Sequence, residues 1–163
     1  MLNLVFYRSE DGSFTFILRD PIGREKVLTF SPQNALTAPI PSLIALEAEF
    51  SYLLSLVEKE VSSLEVEIKR KKIEVIEELM RRNTKLSMTA AKDMVYADDT
   101  FYSINETYNE YLFYSSVLRN IIRSIEHIIE FNYRTHYYEH KASNLSHFDT
   151  NPSDIRKLLD SEE

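Results

Sequence analysis

The sequence predicts a mainly helical protein: a long antiparallel, coiled-coil-like helical hairpin carrying a small N-terminal β-meander arm. Two observations lead there. The chain has 163 residues but only two glycines, both within the first 23 positions, and 110 consecutive residues, Ser42 to Asn151, contain neither Gly nor Pro. Within that stretch apolar residues recur at alternating spacings of three and four, the period of a helix packed along one seam. The lack of turn residues excludes an all-β sandwich or barrel and a Rossmann-type enzyme. The absence of cysteine excludes a disulfide scaffold, a thiol nucleophile and a Cys-ligated zinc.

Residues 1–41 form the arm and its Pro-containing linker. The segments 2–8, 13–20 and 25–31 are rich in β-branched and aromatic residues. Between them, SEDG and DPIG carry turn chemistry: a glycine able to take positive φ, and Pro21 to preset φ. Three short strands cannot stand alone in water, so the meander is expected to cap the helical body; strand exchange between copies is the alternative. Pro32, Pro39 and Pro41 read as linker punctuation.

The hairpin is expected over 42–141, with helices at about 42–82 and 87–140. Ser42 is a candidate N-cap for the first. Its seam runs Phe50, Leu54, Val57, Val61, Leu64 and Ile68, then through Lys71 to Val75 and Leu79. RRNTKLS breaks the pattern, and Ser87 can cap the second helix. Its predicted seam is Met94, Ala97, Phe101, Ile104, Tyr108, Tyr111, Ser115, Leu118, Ile122, Ile125 and Ile129. Leu53, Leu56, Ile73, Ile76, Leu112, Phe113, Val117 and Ile121 flank the two seams. Two helices cannot cover so wide an apolar face, which predicts a homo-oligomer. Residues 142–163 form a polar tail in which Asn151 and Pro152 suggest a short capped helix.

No apolar run approaches 18 residues and the start lacks the shape of a signal peptide, so the expectation is a cytoplasmic protein without a membrane span. The net charge is −7, against non-specific nucleic-acid affinity in a single chain. The charge is unevenly placed, however. Lys69, Arg70, Lys71, Lys72, Arg81, Arg82, Lys85 and Lys92 form a basic sector interrupted only by Glu74, Glu77 and Glu78. Taken alone it is a solvated, ion-paired helix face. Repeated around a ring of subunits, it becomes a groove for a phosphate backbone. Tyrosines can supply stacking faces for single-stranded bases. Tyr108 and Tyr111 belong to the seam, whereas Tyr96, Tyr102 and Tyr137 are freer.

Catalytic chemistry has little to stand on. No glycine remains to build a phosphate loop, and nothing places a serine on a strained elbow. His136, Glu139 and His140 match H-x-x-E-H, an inverted zincin pattern, which leaves a zinc hydrolase as a remote alternative. A third ligand would have to come from the tail acids Asp149, Asp154, Asp160, Glu162 or Glu163. Asp93, Asp98 and Asp99 complement the dipole at the start of the second helix. No cofactor is expected.

The run from KRKKIEVIEELMRR through LSMTAAKDMVYADDTFYSINETYNEYLFYSSVLRNIIRSIEHII resembles the phage recombination mediators of the UvsY type. The shared features are a long helix ending in a basic stretch, a polar break, then Thr, Ala, Lys and Asp before a Tyr-rich helix closing on basic and Ile residues. The resemblance covers roughly residues 43–141 and implies a helical protein that assembles into a ring. Such a ring binds single-stranded DNA and helps load a recombinase onto DNA coated by single-strand-binding protein. The family's DNA-contacting stretch falls on Lys69, Arg70, Lys71 and Lys72; the charge pattern adds Arg81, Arg82 and Lys85. The β arm lies outside the family pattern. The competing reading is a structural or adaptor protein, a virion or complex component, assembling through its helices.

Overall fold

The computed structural model describes residues 2–146, with side chains through Glu139. Strands β1 (Asn3–Arg8), β2 (Phe14–Arg19) and β3 (Glu25–Phe30) form an antiparallel meander in the order β1-β2-β3. Both connections use the same loop. Gly12 donates to Ser9 O and Gly23 to Asp20 O, each at 3.0 Å, and both glycines sit at φ 81. A side chain is disfavoured at that φ, which is why the two glycines of the chain are here. An aspartate locks each loop. Asp11 accepts the Ser13 N–H and hydroxyl, and Asp20 accepts the Arg24 side chain and the N–H groups of Ile22 and Arg24. These bonds, led by the Ser13 amide and the Arg24 guanidinium respectively, hold both carboxyls below the ordinary value.

The register sets the faces. Phe6, Phe16 and Leu28 pair across the sheet on one face, and Phe14 pairs with Phe30 two positions on. That aromatic face lies on the helices: Phe16 meets Phe50 and Tyr114, Phe30 meets Phe50, and Phe6 meets Phe113. The Tyr111 hydroxyl donates to Leu2 O, and Lys26 reaches Glu49 on the first long helix. The arm therefore packs on its own chain.

The stretch read as linker contains a six-residue helix, α1 (Pro32–Thr37). Ser31 caps it by accepting the Asn34 N–H, and Pro32 occupies the first helical position, where a missing N–H costs nothing. Helix α2 (Ile40–Arg82) starts two residues before the expected boundary. Pro41 is admitted into its first turn for the same reason, so Pro39 rather than Ser42 is the cap residue. By length and composition alone, α2 is apolar enough to cross a membrane. Leu43, Phe50, Leu53 and Val57 are buried in the core shared with the sheet and the second long helix, and 22% of its apolar 18-residue window is buried in all.

That second helix differs from expectation at its start. The region expected as one helix from 87 is α3 (Met88–Met94), a 3-10 turn (Val95–Ala97), then α4 (Asp99–Ser146). Ser87 caps α3 as expected, accepting the Ala90 N–H at 3.2 Å. The break comes from Asp98, whose carboxylate accepts the Phe101 N–H at 2.8 Å and so replaces a helical carbonyl. Met94 and Ala97 are consequently exposed rather than in the seam, and Val95 takes their place. Val75, Val95 and Phe101 form a second small core, flanked by Ile68, Ile76 and Leu79, at the far end of the hairpin. Loss of the cap in Asp98→Ala is expected to cost about 1 kcal/mol. Thermal melting should drop by about 3 °C, and an unchanged melt contradicts the capping role.

From Phe101 onward the predicted seam holds. Phe101, Tyr111, Ser115, Leu118 and Ile125 are buried, with Tyr114 and Ile121 widening the stripe. Burial is the main reason the Tyr111 phenol rises from 10.0 to about 12, with Glu60 and Glu110 adding to it. Tyr114 moves in the same direction, from burial and its bond to Glu110. A raised phenol stabilises the fold fully below pH 10, and that contribution is lost as pH climbs toward about 12. Alkaline spectrophotometric titration should therefore find the Tyr111 transition delayed to about pH 12 and coincident with loss of helical circular dichroism. Ionisation of every tyrosine in a fully folded protein contradicts this.

Of the tail, residues 142–146 continue α4, and the short helix expected around Asn151 lies outside the described residues.

Candidate nucleic-acid interface

Helices α2 and α4 run antiparallel, with Arg119 of α4 ion-paired to Glu58 of α2 at 2.6 Å. The sheet covers the hairpin near its middle, where Phe6 and Phe16 meet Tyr114 and Phe50. Beyond that cover, α2 runs on to the small Val75–Val95–Phe101 core. Residues 69–101 span this end and carry eight Lys or Arg against three Glu and three Asp, in a protein whose net charge is −7. The hairpin tip thus keeps a small basic excess, concentrated on α2 and the turn after it.

The ion pairs are specific. Lys69 pairs with Glu65 at 2.6 Å, which raises its ammonium above the ordinary value. Arg70 and Lys71 share Glu74 at 3.7 and 3.8 Å. Arg81 and Arg82 share Glu78, each at 2.8 Å. Three glutamates thus serve five cations. Lys72 forms no salt bridge among the described residues; its Nζ lies 5.7 Å from the centroid of the Tyr96 ring. Lys85 and Lys92 are exposed and form no salt bridge among the described residues.

All the sequence-predicted cations lie on or just after the last turns of α2, with most of their side chains in solvent. Lys71 and Lys72 are the exceptions: both are half-buried, with 28% of the side chain exposed at Lys71, a seam position. The four consecutive cations 69–72 do not form one patch, since successive helical residues are rotated by about 100°. Exposed pairs of this kind contribute only about 0–1 kcal/mol each. A phosphate can therefore replace the glutamate at little cost.

The expected free tyrosines are exposed. Tyr96 lies at the tip between Lys72 and Phe101, Tyr102 donates to Glu106 at 2.7 Å, and Tyr137 packs edge-on against Tyr138 near the opposite end. Tyr96 alone stands directly beside a basic-sector cation. His136 and Glu139 are exposed, 3.7 Å apart, and the side chain of His140 lies outside the described residues. No group of three metal-ligating side chains occurs among the described residues.

Apolar side chains remain uncovered on both long helices: Val66 (68% exposed) and Ile73 (58%) on α2, and Phe113 (54%) and Phe131 (63%) on α4. Val66 and Ile73 are one heptad apart on the outer side of α2. Of the predicted flanking residues, Leu53 and Ile121 are buried, whereas Ile73, Leu112 and Phe113 stay in solvent. Arg119 and Arg123 on α4, which the sequence reading left out of the site, line a groove between the helices together with Glu58 and Ser62. No family model matches this chain, and no curated protein or solved structure is similar to it.

Proposed function

We propose that the protein is a non-enzymatic, self-associating mediator that binds single-stranded DNA in the cytoplasm and helps load a recombinase onto DNA coated by single-strand-binding protein. The observation that carries the DNA part is the basic tip, where three glutamates serve five cations and Lys72 rests on an exposed tyrosine. The resemblance to UvsY-type mediators motivates the recombinase part. Assembly follows from the uncovered apolar side chains, and it multiplies a basic strip too weak to hold a strand by itself. Mechanistically, Lys69, Arg70, Lys71, Lys72, Arg81, Arg82 and Lys85 exchange glutamate and counterions for backbone phosphates, while Tyr96 offers a face to a base.

Fluorescence anisotropy of a labelled oligothymidylate at low salt tests this reading: saturable binding is expected, and none at protein concentrations well above micromolar overturns it. A second reading, a structural or adaptor protein, draws on the exposed heptad pair Val66 and Ile73 together with the net charge of −7. In that case the apolar surface is occupied while the cations stay solvated.

A further inference from the structure

The basic tip is continued by a polar face along the body of the hairpin. On α2, positions 58, 62, 65, 69 and 72 follow helical spacings of four and three, so Lys69 and Lys72 stand in line with Glu58, Ser62 and Glu65, the last paired to Lys69. On α4, positions 123, 119, 116, 112, 109, 105 and 102 form the matching line: Arg123, Arg119, Ser116, the apolar Leu112, Asn109, Asn105 and Tyr102. The helices bring the two lines together where Arg119 bonds Glu58 through Nε and Nη2.

This face is separate from the one the sheet covers. No residue of the sheet lines the groove, and Tyr114, on which Phe16 sits, is about 180° around α4 from Arg123. The groove has a volume of about 550 Å³ and a floor that includes Ser115. Ser115 is 6% exposed. Ser124 and Thr107 on the same helix return their hydroxyls to backbone carbonyls, but the Ser115 hydroxyl makes no hydrogen bond among the described residues. Arg123 lines the groove and makes no salt bridge among the described residues. An unused hydroxyl, an unpaired guanidinium, and a second guanidinium held by one exposed glutamate form a site suited to an anionic backbone.

We infer that single-stranded DNA bound at the tip runs on along this groove, with Arg119 and Arg123 taking its phosphates and Glu58 acting as a removable plug. The inference rests on the proposed DNA-binding function and extends it to α4. From the level of Glu58 to Lys72 the track is roughly 21 Å long at 1.5 Å per residue, so it adds contacts that only a strand longer than the tip can reach. The plug gives the groove a preference: an extended polyanion able to bring several phosphates displaces Glu58, whereas a single small anion competes poorly.

The test uses the full chain and labelled oligothymidylates of two lengths, one only long enough for the tip and one spanning both. R119A/R123A is expected to weaken the longer strand roughly tenfold and to lower its salt slope by about two, leaving the shorter strand unchanged. R119K/R123K should restore most of the slope. E58Q, which frees Arg119 while preserving shape, should tighten the longer strand. Circular dichroism guards against unfolding, and the exposed Arg119–Glu58 pair gives little stability to lose. If wild-type protein binds, and alanines at Lys69, Arg70, Lys72 and Arg81 weaken it, while R119A/R123A alters neither affinity nor slope, the track is wrong and the tip remains. If wild-type protein does not bind either strand at low salt, the proposed function itself falls.

Discussion

Phe50→Ala is expected to cost about 3–5 kcal/mol of stability. Phe50 is fully buried and is the one residue whose ring meets both Phe16 of β2 and Phe30 of β3, at 6.4 and 6.5 Å between centroids. Its removal leaves a cavity where the sheet joins the hairpin, and neither rigid element can collapse to fill it. With total stability of the usual 5–15 kcal/mol, such a loss brings the fold near its limit. The sheet should be released first, because three short strands have no independent core. Denaturant unfolding followed by circular dichroism measures the effect. A loss below about 1 kcal/mol, the cost of a minor surface change, contradicts the central place given to this ring.

Alanine at Lys69, Arg70, Lys72 and Arg81 together has the largest expected functional effect. The four side chains are exposed or partly exposed, and their ion pairs with Glu65, Glu74 and Glu78 are of the weak surface kind. Folding and assembly should survive. Affinity for single-stranded DNA should fall by about a hundredfold or more at low salt, and the salt slope should shrink by roughly the number of phosphate contacts removed. A variant that keeps wild-type affinity favours the adaptor reading. A variant that loses its oligomeric state along with binding places these residues in the subunit contact instead.

The large features of this fold were legible because they are periodic. Spacings of three and four over dozens of residues specify a seam, and alternation between Gly-containing turns specifies a meander. What escaped the pattern was local chemistry. Met94 and Ala97 happen to fall in phase with the true seam, so the periodicity passed straight through the break that Asp98 imposes by capping Phe101. Helix α1 was hidden among prolines, although Ser31 followed by Pro32 is a start signal.

The site divides the same way. The cations of 69–92 were visible as a local excess, and their carboxylate partners follow from i,i+3 and i,i+4 spacing. Two facts needed three dimensions: the seating of Lys72 on Tyr96, and the alignment of Arg119 and Arg123 with the α2 line. These arginines lie in a segment, 93–141, with twice as many acids as bases, so a linear charge count gave no hint of them. One face of a helix can be basic while the helix as a whole is acidic.

Light scattering of the purified protein at high concentration tests the account most directly, because the proposed function depends on several chains joining their basic strips. The predicted result is a particle of several chains, in the presence or absence of DNA, whose mass is unchanged by the four alanines at the tip. A stable particle of 19.1 kDa, the mass of a single chain, contradicts it.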